Sequence, residues 1–386
     1  MKLKKFLDKK PLYYKEIDYK RMPKAWDSIR EHFDLPIIIH IVGTNAKGST
    51  GRFLAHFLYK CNIKVGHYSS PHILKFNERI WIDGKDIKDD VLEKNHQKLL
   101  SILSQEFIKS LSYFEYTTLL GMLCFQKCQY LILEAGLGGE KDATSVFGSD
   151  LTLVTPISLD HEELLGDSVE KISTTKLKAI RKFAILGKQE DKIIYKVAKT
   201  VARKNNLEIF RYDHFFCFEG IEEAKETIKK LNLADFFVDN LLLGMAGAKF
   251  FGFDIKFEKM LDLKLFGRCQ KINHNITIDV GHNVAAAAAL FEHFKNEKII
   301  LIYNSYADKN YEKILKIFLP IIKKIELLPI LSERVEQKEI LGEIIKKLNI
   351  PFSDFKKINE NEKYLVFGSF SLIEEFLKYY GEYKQK

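Results

Sequence analysis

The apolar run Ile37-Ile38-Ile39-His40-Ile41-Val42 breaks into Gly43-Thr44-Asn45-Ala46-Lys47-Gly48-Ser49-Thr50, and apolar residues resume at helical spacing through Phe53, Leu54, Phe57 and Leu58. A β-branched strand, a small-residue turn and a helix therefore follow one another directly. Further apolar runs at 64–68, 130–134 and 151–155 alternate with helical stretches such as 91–111 and 116–126. These runs are continuous rather than alternating, which points to a parallel sheet covered on both faces. The fold class is α/β.

The rhythm restarts after residue 270, with strands expected at 275–280, 298–303, 324–328 and 363–367 and helices at 285–295, 311–318, 336–348 and 372–379. At 386 residues the chain exceeds what one hydrophobic core usually serves. We expect an N-terminal domain of P-loop ATPase type over 1–266, built on a mostly parallel sheet, and a smaller Rossmann-like domain over 267–386. The division is placed at Leu265-Phe266-Gly267-Arg268, where a Gly interrupts the pattern. The region 182–223 has weak periodicity.

The chain has 46% hydrophobic and 29% charged residues, as a soluble globular protein does. It has no apolar run of the roughly 18 residues a membrane helix needs, and Met1–Pro11 lacks a secretory core. A cytoplasmic protein without membrane partners is expected. The five Cys are scattered without zinc-type spacing, and Cys124 and Cys128 read as buried helix residues. Net charge is +9, but only nine of the 61 basic residues are Arg. Lys spread over every helix reads as a solvated surface rather than a nucleic-acid interface.

The turn at 43–50 has the parts of a phosphate cradle. Its N–H groups and the following helix N-terminus can hold triphosphate oxygens, while Lys47 adds a point charge. The strict G-x-x-x-x-G-K-[ST] pattern is not met, since Ala46 stands before Lys47 and Gly48 follows it. An ordinary strand-to-helix turn is the alternative. We expect Ala46 at negative φ, because a left-handed Ala costs about 1–2 kcal/mol.

A triphosphate in a transfer site normally arrives with Mg²⁺, which prefers hard oxygen ligands. With Gly48 in place of a hydroxyl, Ser69-Ser70-Pro71-His72 past the second strand is a candidate source. Glu134 closes the run Tyr130-Leu131-Ile132-Leu133 and opens Ala135-Gly136-Leu137-Gly138-Gly139, which suits a metal or phosphate site at a strand's carboxyl end. A strand-end Glu facing solvent is the alternative. Leu159-Asp160-His161 follows the next strand, where His161 reads as a ligand or as a structural residue.

These segments, with Phe76-Asn77-Glu78-Arg79-Ile80, Tyr113-Phe114-Glu115, Gly267-Arg268-Cys269-Gln270, Asp279-Val280-Gly281-His282-Asn283 and Gly368-Ser369-Phe370, resemble the folylpolyglutamate synthase/dihydrofolate synthase family, relatives of the Mur ligases. The resemblance covers nearly the whole chain, in order. It implies ATP-dependent amide formation to the amino group of L-glutamate through an acyl phosphate, with dihydropteroate or a reduced folate as acceptor.

By that resemblance Thr44, Asn45, Ala46, Lys47, Gly48, Ser49 and Thr50 would bind the nucleotide phosphates. Ser70 and Glu134 would hold one Mg²⁺, and Glu134 and His161 a second. Lys176, in Thr174-Thr175-Lys176-Leu177-Lys178, falls where the family has a carbamylated lysine, with a surface Lys as the alternative. Asn240 matches the residue that meets adenine, or reads as an N-cap opening the helix that follows. Arg268, Asp279 and His282 match positions used around ATP. Phe114 and Asp142 match the pterin-side pocket, although Ser145 replaces the usual Asn beside it.

The leading expectation is a monomeric folate-type ligase. A Mur-type ligase acting on a nucleotide-sugar peptide shares the fold and phosphate logic. A regulatory nucleotide-binding protein would bind ATP without turnover, and a basic nucleic-acid binder would show steep salt dependence.

Overall fold

The computed structural model describes residues 2–11 and 18–384. The chain forms two compact units, Met1–Thr227 with Val238–Leu263, and Ile228–Phe237 with Lys264–Lys386. The short segment 228–237 thus groups with the second unit.

The first unit is built on an eight-stranded sheet: β1 (Ile37–Val42), β2 (Val65–Tyr68), β3 (Ile80–Ile82), β4 (Lys85–Asp86), β5 (Tyr130–Glu134), β6 (Leu151–Val154), β7 (Phe183–Leu186) and β8 (Glu208–Arg211). The strand order is β4-β3-β2-β5-β1-β6-β7-β8. All neighbouring pairs from β2 to β8 are parallel, while β3 pairs antiparallel with β2 and β4. β1 therefore lies inside the sheet, and its carboxyl end opens between those of β5 and β6.

Both faces are covered, as continuous apolar strands require. Gly66 of β2 faces the ring of Phe125, while its neighbour His67 points into the helix Lys47–Lys60 at Gly51. That helix packs against the helix Phe237–Phe250, where a Cβ at Gly244 would lie 3.1 Å from the Thr50 carbonyl oxygen. One core gathers Trp26, Tyr68, Tyr116, Leu119 and Leu131; another gathers Val42, Val154, Ile172, Ala184 and Ile194.

The second unit carries β9 (Gln270–Lys271), β10 (Ile276–Asp279), β11 (Ile299–Tyr303), β12 (Ile322–Leu327), β13 (Phe352–Asp354) and β14 (Tyr364–Phe367) in the order β13-β12-β11-β14-β10-β9. Only β9 is antiparallel. The α/β expectation holds for both sheets.

Three local expectations are corrected. The stretch 91–111 is two helices, Asp89–Ile102 and Gln105–Ser110, because Leu103 is extended and the Ser104 hydroxyl accepts the Phe107 N–H as an N-cap. Cys124 is the last residue of the helix Tyr113–Cys124, Cys128 lies beyond it, and both residues are half-buried rather than buried. Burial pushes the Cys128 thiol up to about 12. The weakly periodic 182–223 region holds β7, the helix Ile193–Asn205 and β8. Among the described residues no helix is long and apolar enough to cross a membrane.

Candidate active site

Gly43 leaves β1 with φ 150°, and a Cβ there would lie 1.9 Å from Thr155 Oγ1. Only glycine fits both the conformation and the space. The N–H groups of Thr44 and Asn45 donate to the Pro156 carbonyl at 2.9 and 3.2 Å, and Thr44 Oγ1 donates to the Ser158 carbonyl at 3.1 Å. These bonds lace the turn to the segment that follows β6.

Ala46 overturns the negative-φ expectation, sitting at φ 66°, ψ 0° in the left-handed region. The chain must reverse here to enter the helix. The Ala46 carbonyl accepts the Thr50 N–H at 2.9 Å and the Ser49 hydroxyl at 3.0 Å, so the first helical bonds offset the strain. Lys47, Gly48, Ser49 and Thr50 form the opening of that helix. Asn240 is not an N-cap: it is inside the helix Phe237–Phe250, buried, and its Nδ2 donates to Ser49 Oγ at 3.1 Å.

Lys47 Nζ donates to the carbonyls of Gly43 and Thr44, both at 3.2 Å. A second ammonium joins it. Lys176, in the helix Val169–Leu177, is buried rather than at the surface, and its Nζ donates to the Gly43 carbonyl at 2.8 Å. Burial first, and then the nearby Lys47 charge, push its pKa down to about 7, against opposing pulls from Asp160 and Asp142. Gly139 permits this arrangement, because a Cβ there would lie 2.9 Å from the Lys176 Cα.

Glu134 ends β5 opposite Ile41 of β1, and the Ala135 N–H donates to the Ile41 carbonyl at 3.0 Å. The carboxylate is therefore held beside the turn, and it is buried rather than solvent-facing. The Ser70 backbone N–H donates to Glu134 Oε2 at 3.3 Å, so the two residues meet at the carboxyl edge of adjacent strands. His161, at φ 53°, precedes the one-turn helix Glu162–Leu165, and its Nε2 is 4.0 Å from Asp160 Oδ1.

Among the described residues no three His, Cys, Asp or Glu side chains gather as a metal cage. Mg²⁺ binds through one or two carboxylates together with substrate phosphates and water. Glu134 and the Ser70 hydroxyl are hard oxygen donors of that kind, while His161 lies on the segment beyond β6 beside Asp160.

The turn after Glu134 also contacts Phe114, since a Cβ at Gly136 would lie 2.5 Å from Phe114 Cζ. The Asp142 side chain is buried and held by backbone and hydroxyl donors. Its Oδ2 accepts the Leu137 N–H at 2.7 Å, and its Oδ1 accepts the Thr144 N–H at 2.9 Å and the Thr144 hydroxyl at 2.6 Å. Burial raises its pKa against these bonds.

Two groups near the site carried no sequence signal strong enough to single out. The Arg52 guanidinium lies 4.7 Å from the Trp81 ring centroid; burial pushes its pKa down to about 10, opposed by Asp86 and Glu134. A lone Arg among Phe53, Leu54 and Phe57 was the available clue. The buried Arg79 donates through Nε to His72 Nδ1 at 2.9 Å and lies over Phe76 and Tyr113.

In the second unit, Asp279 ends β10 and accepts the N–H groups of Cys269 and Gly281, each at 2.7 Å. Burial raises its pKa, opposed first by the Arg268 charge. Arg268 lies 5.2 Å from the Phe370 ring centroid, and His282 Nδ1 is 3.1 Å from the Val280 carbonyl oxygen.

No protein-family model matches the chain. Among solved structures it is similar to folylpolyglutamate synthetase of Helicobacter pylori, at 38% identity and a TM-score of 0.80 with 98% of each chain covered. A bifunctional folylpolyglutamate synthase/dihydrofolate synthase of Yersinia pestis, complexed with AMPPNP and a Mn ion, shares the fold at 22% identity and a TM-score of 0.82, covering 97% of this chain and 96% of that one. The dihydrofolate synthase/folylpolyglutamate synthase of Escherichia coli is 31% identical over 296 residues, 71% of this chain and 68% of that protein. The small-residue turn, the Ser70–Glu134 contact and these likenesses along the chain agree, and the chain belongs to the dihydrofolate synthase/folylpolyglutamate synthase family.

Proposed function

We propose that this protein is an ATP-dependent ligase that joins L-glutamate to dihydropteroate, to a folate, or to both. The observation that carries this reading is the meeting of Ser70 with Glu134 beside the turn that presents Lys47. Family membership favours a folate-type acceptor over the nucleotide-sugar peptide of a Mur-type ligase. It also favours turnover over nucleotide binding alone.

A carboxylate is a poor electrophile because oxide would have to leave. In the proposed reaction the acceptor carboxylate oxygen attacks the γ-phosphorus of ATP and ADP departs. The glutamate amine then attacks the acyl carbon, the bond to the phosphate oxygen breaks and inorganic phosphate leaves, and the nitrogen gives up a proton to leave the amide. Catalysis of this kind is positioning and charge neutralisation.

The turn's N–H groups and the N-terminus of the helix Lys47–Lys60 would hold phosphate oxygens, with Lys47 exchanging its carbonyl partners for them. Ser70 and Glu134 would hold Mg²⁺, and Glu134 with His161 a second ion. A metal held there would neutralise negative charge on the phosphates. We propose Asn240 at the adenine and Phe114 at the pterin, and nucleotide contacts for Arg268, Asp279 and His282.

Lys176 is proposed as a carbamate. Its depressed pKa makes the neutral amine available at neutral pH; the nitrogen bonds to the carbon of CO₂ and a proton leaves to solvent. A cytoplasmic monomer is the proposed working form.

The test supplies ATP, Mg²⁺ and glutamate with dihydropteroate, a reduced folate or a nucleotide-sugar peptide, and measures phosphate. Release that requires glutamate and either pterin acceptor is expected. Release with the sugar peptide alone, or nucleotide binding without release, overturns the reading.

A further inference from the structure

Pro156 interrupts the sheet at the point where the phosphate turn rests on it. In the parallel ladder between β6 and β7, the Gly187 N–H donates to the Val154 carbonyl at 2.9 Å. The next bond of such a ladder would run from the N–H of residue 156 to the Gly187 carbonyl, and proline has no N–H to give. A side chain takes over. Gln189 Nε2 donates to the Gly187 carbonyl at 3.1 Å and to the Thr155 carbonyl at 3.2 Å, while its Oε1 accepts the Ile157 N–H at 2.9 Å.

The Gln189 side chain is buried, and its partners allow one orientation of the amide. The Ile157 N–H can only donate and the two carbonyls can only accept, so exchanging oxygen for nitrogen would break all three bonds. The backbone of Gln189 is held in turn, because its N–H donates at 3.1 Å to the hydroxyl of Tyr195 in the helix Ile193–Asn205. One carboxamide thus replaces the ladder at residues 155–157 and binds them to the loop after β7.

Those residues are the ones that grip the phosphate turn. The Pro156 carbonyl accepts the N–H groups of both Thr44 and Asn45, and the Ser158 N–H and carbonyl both pair with the Thr44 hydroxyl, each at 3.1 Å. Thr155 Oγ1 would lie 1.9 Å from a Cβ at Gly43, so segment and turn touch with no room between them. We infer that Gln189 is a positioning residue for nucleotide binding: it fixes the 155–158 segment on which the turn before Lys47 is seated. It acts through Pro156 and Ser158 rather than by contact with phosphate. The inference rests on the reading of the 43–50 turn as the phosphate cradle.

Gln189→Met, Tyr195→Phe and Lys47→Met test it in the full chain. The first keeps the length of the side chain and loses all three bonds; the second, a gentler change, removes only the hydroxyl behind the Gln189 N–H. Without nucleotide, hydrogen exchange should accelerate at Thr44 and Asn45 as well as at Ile157 in Gln189→Met, and to a lesser degree at the same amides in Tyr195→Phe. The dissociation constant for ADP with Mg²⁺, measured by calorimetry, should rise roughly 10-fold in Gln189→Met and roughly two- to threefold in Tyr195→Phe, while the KM values for glutamate and the pterin acceptor stay within about twofold of wild type. Thermal melting separates these effects from global unfolding, and Tyr195→Phe carries the test should Gln189→Met fail to fold. The inference is overturned if Thr44 and Asn45 exchange as in wild type while Ile157 accelerates, or if ADP affinity is unchanged in the folded variants. Unchanged ADP affinity in Lys47→Met would instead overturn the phosphate-cradle reading, and the exchange rates at Thr44 and Asn45 would still decide for or against Gln189.

Discussion

Lys176 Nζ lies 2.8 Å from the Gly43 carbonyl oxygen, an oxygen that Lys47 also uses at 3.2 Å. Two ammonium groups on one acceptor repel, and the more buried of them yields its proton more readily. Because the folded-state pKa of Lys176 is lowered from 10.5 to about 7, the unfolded chain binds more protons across that window. The contribution of Lys176 to stability is therefore most unfavourable below pH 7 and is relieved as pH rises towards 10.5. Denaturation of wild type and Lys176→Met should show a difference that shifts in favour of wild type by at most about 1.4 kcal/mol per pH unit there. With ¹³C-bicarbonate, a carbamate resonance is expected in wild type and not in the Met variant.

Ala46 holds a left-handed conformation that glycine adopts freely. Ala46→Gly should raise stability by about 0.5–1 kcal/mol, the relief of strain exceeding the added freedom of the unfolded chain. Urea denaturation measures this, and nucleotide affinity should be preserved.

Gly136→Ala places a methyl group 2.5 Å from the Phe114 ring edge, which must move. If that ring stacks on the pterin, the acceptor KM rises several-fold while the KM for ATP stays near wild type. Steady-state kinetics with each substrate varied in turn separates the two.

Glu134→Gln keeps the shape of the side chain and removes its charge beside Ser70. Phosphate release should fall by roughly 100-fold or more, and the Mg²⁺ concentration for half-maximal rate should rise. Titration of MgCl₂ at saturating ATP reads both.

The strands that the sequence made legible are those whose composition leaves no alternative. The Tyr130–Glu134 run falls on β5 without error, and 64–68 and 151–155 overrun β2 and β6 by one residue, because buried parallel strands are apolar throughout. The hairpin of β3 and β4 was missed, since strands of three and two residues carry no period. β7 was hidden by its brevity between Lys182 and Gly187.

The turn at 43–50 could be located from its small residues, which a close backbone approach demands. Its conformation at Ala46 could not, because the helix-opening bonds that offset the strain arise only once Thr50 and Ser49 fold back. The burial of Lys176 was equally invisible. It depends on Gly139 meeting the helix backbone, a contact between residues far apart in the chain. The bonding of Asp142 to Thr144, and of Thr144 to His40, was likewise invisible, because the His40–Thr144 partnership spans more than a hundred residues.

β1 lies inside its sheet, bonded on one side to β5 and on the other to β6. Freeing β1, which leads into the turn before Lys47, by local opening would require breaking both ladders, so the strand belongs to the slowest-exchanging part of the unit. Fraying at the outer strands β4 and β8 leaves it undisturbed. Ligand exchange rates should therefore be insensitive to substitutions that weaken the sheet's margins.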